Sequence, residues 1–275
     1  MKNNVDKKTI AIVSVVFIAI LVAMLLLIPA QRKNEFYEKW GILAEFAETD
    51  ERAKFIIENQ ELYSEEVMEY FYRNTDELDF VYNYAFHKDD YRSMSFTEEE
   101  LNSEKIPKLY MFDNRWAYEK IGGMYIKDDG CVPVSLTMAY VWLTGNGDFD
   151  PVKISEIAEN LDATAFWGGI LYEKIEDICS ELGLNVEMYQ YRFDTDTEKK
   201  YHADIQTMKQ ILDNGHVLMA GMSGETFGAH GLIISGYSGD LFTINDPESP
   251  ENSDRLWSFD ELDPEMTFMF DISKN

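Results

Sequence analysis

The sequence predicts an α+β domain with an antiparallel sheet, and three observations predict it. Apolar residues recur at helical spacing through most of the stretch 36–182. Five short runs rich in β-branched and aromatic residues follow, at 186–191, 216–222, 231–237, 241–245 and 267–272. Between the third and fourth of these, Ser238-Gly239-Asp240 has the composition of a hairpin turn. Helices first and strands afterwards is the order of an α+β fold rather than of alternating βα units.

Taken from its start, the chain divides into a membrane anchor over 1–33, a helical prefix over 34–100 and the α+β domain over 101–275. Residues 10–28 are apolar and uncharged and follow Lys2, Lys7 and Lys8. At about 1.5 Å per helical residue the run covers roughly 30 Å, the thickness of a bilayer core. A cleaved signal peptide is the alternative, with Ile28-Pro29-Ala30 as a small-residue site, but the length favours an uncleaved anchor. The lysines before the span point to a cytoplasmic N-terminus, which makes this a single-pass protein of the cell membrane with the following domain outside the cytoplasm.

The prefix is dense in aromatics at helical spacing, and such a stripe is read as core. Ser64 before Glu65-Glu66, and Asn74 three residues before Glu77, read as helix starts. Residues 89–105 are polar and read as a linker or an exposed helix. The net charge is −27, and the first 33 residues are basic, so the remainder is more acidic still. That surface repels nucleic acid and anionic lipid, and nucleic acid is not an expected partner.

The chemistry concentrates at Asp128-Asp129-Gly130-Cys131-Val132-Pro133-Val134-Ser135-Leu136. Pro133 suits a first helical position, Leu136, Ala139, Tyr140 and Leu143 continue at helical spacing, and Gly145-Asn146-Gly147 ends the helix. Cys131 therefore sits at a helix N-terminus, where free N–H groups and the dipole favour thiolate. Packing as a small apolar residue is the equal alternative. Cys179 falls with Ile175, Ile178 and Leu182 on an apolar helix face and is expected to pack there rather than bridge to Cys131. His87, His202 and His216 have ordinary places in helix, loop and strand start. His230 lies between Ala229 and Gly231 at the start of an apolar run, where small neighbours let another group approach the ring. Asp246, in Asn245-Asp246-Pro247, follows one strand later and is either a turn carboxylate or a group that holds the imidazole from behind. Cysteine, histidine and aspartate in that order are the chain order of papain-type enzymes. No cofactor or metal is expected. The two cysteines lack zinc-ligand spacing, the acidic run 194–198 lacks the glycine and distal glutamate of a calcium loop, and no glycine pair leads into a phosphate-binding Gly-Lys-Ser/Thr.

Residues 106–272 resemble the bacterial double-glycine-leader peptidase-like family, cysteine peptidases whose best-known members sit on bacteriocin exporters. The likeness is carried by Ile106-Pro107, Asp113-Asn114-Arg115-Trp116, Gly122-Gly123, the stretch Asp129 to Leu136, Leu143-Thr144-Gly145, Ala229-His230-Gly231 and Asn245-Asp246-Pro247. In the prefix, Glu61-Leu62-Tyr63-Ser64-Glu65-Glu66 and 78–84 resemble stand-alone Gram-positive members. The resemblance implies a papain-like fold, a peptide or protein substrate, Cys131 as nucleophile, His230 as base and then acid, and Asp246 as orienter. Two departures stand out. Met111 occupies the place of a glutamine that helps hold the oxyanion, and Val132 and Val134 stand where glycine and threonine are usual. A peptidase and a catalytically silent binding or scaffold relative both remain compatible with the sequence, as does a transferase sharing the acyl-enzyme.

Overall fold

A computed structural model of the chain describes residues 40–166, 168–191, 193–194, 199–200 and 203–275. The expected span 10–28 and His202 lie outside the described residues; among the described residues no helix is long and apolar enough to cross a membrane. The described residues form two compact units, divided in sequence after Phe86.

In the first unit, helices α1 (Glu51–Glu58), α2 (Glu65–Arg73) and α3 (Leu78–His87) follow one another. Ser64 caps α2 by accepting from the Val67 N–H at 3.3 Å, at the start that the sequence indicates. Asn74 behaves otherwise: its side-chain amide donates to Tyr70 O at 3.0 Å, so it closes the end of α2 instead of opening α3. Tyr70 O also accepts the Asn74 backbone N–H at 3.0 Å, and its second lone pair takes the side-chain amide. Leu43, Ile56, Val67, Phe71 and Val81 are buried, and Phe46 meets Phe71 edge-on with ring centroids 5.8 Å apart, so part of the aromatic stripe is core.

The second unit is α+β. Its six-stranded sheet contains β1 (Leu184–Gln190), β2 (Val217–Met222), β3 (His230–Ser238), β4 (Leu241–Asn245), β5 (Leu256–Ser258) and β6 (Met266–Lys274) in the spatial order β1-β6-β2-β3-β4-β5, every neighbour antiparallel. Helices α4 (Cys131–Thr144), α5 (Pro151–Asn160) and α6 (Ile175–Glu181) share one core with Val217 and Met219. Helix α7 (Ile205–Asp213) shares the other with Leu218, Ala220 and Met222. All six residues of β2 are buried, because alternate side chains enter different cores. Four features depart from the sequence reading. The helix bearing the cysteine begins at Cys131, not at Pro133. The stretch expected as one helix over 170–182 is a 3₁₀ turn, Tyr172–Lys174, followed by α6. Helix α7 and the short β5 were not expected. Asp204 caps α7, accepting from the Gln206 and Thr207 N–H groups, and Met208 and Ile211 are its buried face.

Helix α4 starts where it does because of Gly130. The turn Ile126–Asp129 closes with Gly130 N–H donating to Ile126 O at 2.8 Å, and a Cβ on Gly130 would collide with that same carbonyl. The next residue opens the new helix. Pro133, at the third position, loses nothing, since N–H groups of the first turn have no intrahelical acceptor. At its other end Gly145 adopts φ 68°, the left-handed cap. From Val132 to Val141 every residue of α4 is buried. The helix rests on β3 through Val132 and Ser135: Ser135 Oγ donates to Gly231 O at 3.1 Å, and a Cβ on Gly231 would stand 3.0 Å from Val132 Cγ2 and 3.2 Å from Met219 Cε. Gly231→Ala is therefore expected to lower stability by about 1–3 kcal/mol through overpacking. Adding Val132→Ala should recover part of the loss. A double-mutant cycle by urea denaturation checks this, and strict additivity would refute the contact.

Candidate active site

The contact of α4 with β3 brings Cys131, the first residue of the helix, to His230, the first residue of the strand. Cys131 is half-buried and both cysteines are free thiols. His230 is only 3% exposed, a burial that demands partners for its ring nitrogens. Nε2 is 2.7 Å from Asp246 Oδ1, itself 2% exposed. With Nε2 engaged by the carboxylate, Nδ1 is the nitrogen left for the sulfur. The exposed carboxylate of Glu248 also lies 3.8 Å from Nδ1.

Burial disfavours a charged imidazole, but hydrogen bonds and charge from Asp246 and Cys131 outweigh it and raise the His230 pKa from its ordinary 6.5 to about 10. Burial likewise disfavours the Asp246 carboxylate. The imidazolium, the Asn252 amide and the Glu248 N–H reverse that and hold it below the usual carboxylate range. Asp246 is well served: Oδ1 accepts from Glu248 N–H at 2.9 Å and Ser249 N–H at 3.2 Å, and Oδ2 accepts from Asn252 Nδ2 at 2.8 Å. Ser249 caps the short helix α8 (Pro250–Asp254) that carries Asn252. The three residues Asn245-Asp246-Pro247 do three jobs. Asn245 Nδ2 donates to Ile106 O and Pro107 O at 3.0 and 3.2 Å, Asp246 holds the imidazole, and Pro247 O accepts from Met111 N–H at 2.8 Å. The segment 106–111 is thereby tied to the site from behind.

Cys131 and His230 line a cleft of about 300 Å³ with Met111, Val132, Tyr172 and Phe268. Its walls also carry Asp128, Asp129, Glu173 and Glu248, and no lysine or arginine lines it among the described residues. Burial and the neighbouring Asp128 push the Asp129 carboxyl upward. Met111 is buried and its thioether has no hydrogen to donate. Among the described residues no group of three or more His, Cys, Asp or Glu is disposed to hold a metal ion. Cys179 packs in the core, where burial pushes its thiol up to about 12. His216 pairs with Asp271 at 2.7 Å and His87 with Asp90 at 2.8 Å, both outside this cleft.

Sequence reasoning named the three residues that meet here and missed their support. Asn252 had no signal beyond a helix start. Ser135 was taken only as part of a motif. Tyr172 was read as one more residue of an expected helix, yet its hydroxyl donates to His230 O at 2.5 Å.

The Peptidase_C39 like family matches residues 110–268, more than half of the chain and the whole of the region that builds the cleft. No curated protein matches. Among solved structures, the peptidase domain of Streptococcus ComA, a bi-functional ABC transporter involved in a quorum sensing pathway, aligns at 15% identity over 54% of this chain and 93% of that one, with a TM-score of 0.41. That likeness is too distant to carry an assignment, and the family match carries it alone. The chain belongs to the Peptidase_C39 like family.

Proposed function

We propose that the protein is a papain-like cysteine peptidase in which Cys131 attacks a peptide carbonyl, His230 moves the proton and Asp246 orients the imidazole. The observation that carries the proposal is a cleft shared by a sulfur at a helix start and a buried imidazole with a carboxylate 2.7 Å behind its ring. The thiol proton already rests on Nδ1 in the imidazolium, and the sulfur adds to the carbonyl carbon as the thiolate of that pair. The amine then leaves with that proton, and a thioester remains. Water adds to the thioester, gives a proton to the same nitrogen, and releases the carboxylate product and the thiol. The N–H groups of the first turn of α4 are the donors proposed for the oxyanion.

One observation favours a second reading, a catalytically silent binding module: Met111 supplies no donor, and a missing oxyanion donor lowers rates by about 10² to 10³. Turnover of peptides decides between the two. Cys131→Ala is expected to lose about 10⁴-fold or more in kcat/KM and all covalent labelling by an electrophilic peptide, and Asp246→Asn about 10² to 10⁴. Met111→Gln should raise turnover. Silence of both the native protein and Met111→Gln would favour the binding module.

The electrostatics make a separate prediction. His230 has a folded pKa above its ordinary 6.5, so its pairing stabilises fully below about 6.5 and that contribution is lost as pH rises to about 10. Asp246, held low, contributes above the ordinary 3.8 and loses its part as pH falls. The stability advantage of the native protein over His230→Gln should shrink from neutral to alkaline pH in urea denaturation. A constant advantage would show that the imidazolium is not what Asp246 binds.

We further propose that residues 10–28 anchor the protein in a membrane with the peptidase-like domain outside the cytoplasm, on the length and lack of charge of that run. The protein should stay with membranes through an alkaline carbonate wash, and protease added to intact cells should remove a tag placed after residue 275. Release by the wash, or a protected tag, contradicts the proposal.

A further inference from the structure

We infer that Tyr172 is a positioning residue for His230: its hydroxyl, set between two paired strands, fixes the backbone of the histidine and so the distance at which the imidazole meets the Cys131 sulfur. The inference rests on the cysteine-peptidase reading above and assigns a further residue to it. His230 and Met222 are cross-strand partners, and they form the last pair of the β2–β3 ladder, since β3 begins at His230 and β2 ends at Met222. The Tyr172 hydroxyl donates to His230 O at 2.5 Å, and the Met222 N–H faces the same oxygen of the phenol. One hydroxyl thus serves both strands at their open end, where backbone pairing has no further rung to hold it.

The ring is held so that the hydroxyl reaches that place. Tyr172 opens the 3₁₀ turn and its ring centroid lies 5.0 Å from Phe268 and 6.3 Å from Phe270. A Cβ on Gly221 would stand 2.9 Å from Tyr172 Cε2, so the glycine in β2 makes room for the phenol. Burial, and then the nearby Cys131, push the phenol upward, which keeps the proton it donates. The physical need is plain. Asp246 pins the imidazole at Nε2 only, and a ring held at one nitrogen still swings with its backbone. Tyr172 supplies the second fixed point, on the main chain.

Tyr172→Phe keeps the ring and removes the hydroxyl. The groups facing the imidazole, Cys131, Asp246 and Glu248, stay in place, so a changed response reports its position. Expected are a fold retained by circular dichroism, a loss of about five- to tenfold in kcat with KM little changed, and a shift of the acid limb of Cys131 alkylation by iodoacetamide to higher pH. Mass spectrometry of the Cys131 peptide separates that reaction from any at Cys179. Native kcat and a native alkylation profile in Tyr172→Phe would overturn the inference, as would lower stability with an unmoved profile, which is the mark of packing alone. His230→Ala in the same assay keeps two failures apart. If it leaves alkylation of Cys131 unchanged, the cysteine-peptidase reading falls and this inference with it. If it moves the profile and Tyr172→Phe does not, only the role of Tyr172 falls.

Discussion

The close seating of α4 on β3 at Gly231 is the constraint on which the rest of the molecule depends. A strand and a helix approach this nearly only where one of them lacks a side chain. Val132 fills the space that Gly231 leaves, and Ser135 ties the helix to the glycine's carbonyl with a buried hydrogen bond. Because Cys131 precedes Val132 and His230 precedes Gly231, one packing contact sets the places of both side chains at once. The valine where the family usually has glycine fits this arrangement, since the bulk absent from β3 is supplied from α4.

Electrostatics then act on groups that packing has already placed. A buried imidazole with no partner would stay neutral, and a buried carboxylate with none would hold its proton. Together they charge each other, and the N–H groups of 248–249 and the Asn252 amide finish the carboxylate's hydrogen bonds. The site is kept charged by a satisfied network, which is the condition under which buried charge is tolerable at all.

Much of this was legible in the sequence because the signals are local. Strands over 241–245 and 217–222 stand close to where β-forming runs placed them, and a glycine after the last periodic residue ended α4 as expected. Cysteine, histidine and aspartate were grouped as one candidate site from chain order and from the small residues beside them, and Cys131 and His230 share one cleft with Asp246 behind the ring. The remainder depends on where distant pieces meet. Asn74 has the spacing of a helix start, but a carbonyl one turn back was the nearer partner. A glycine rather than the proline set the beginning of α4, through a collision visible only in three dimensions. Helix α7 carried a cap and an apolar face that the aspartate-rich surroundings obscured. Tyr172, Ser135 and Asn252 act on partners 58, 96 and 6 residues away, and no local pattern marks such a contact.

β6, last in sequence, lies inside the sheet between β1 and β2, and its Phe268 lines the cleft. A ribosome-bound chain that has released the cysteine, the histidine and the aspartate still lacks an interior strand. One wall of the cleft is therefore supplied by a strand that leaves the ribosome after the other five, and it enters the sheet between two strands already made.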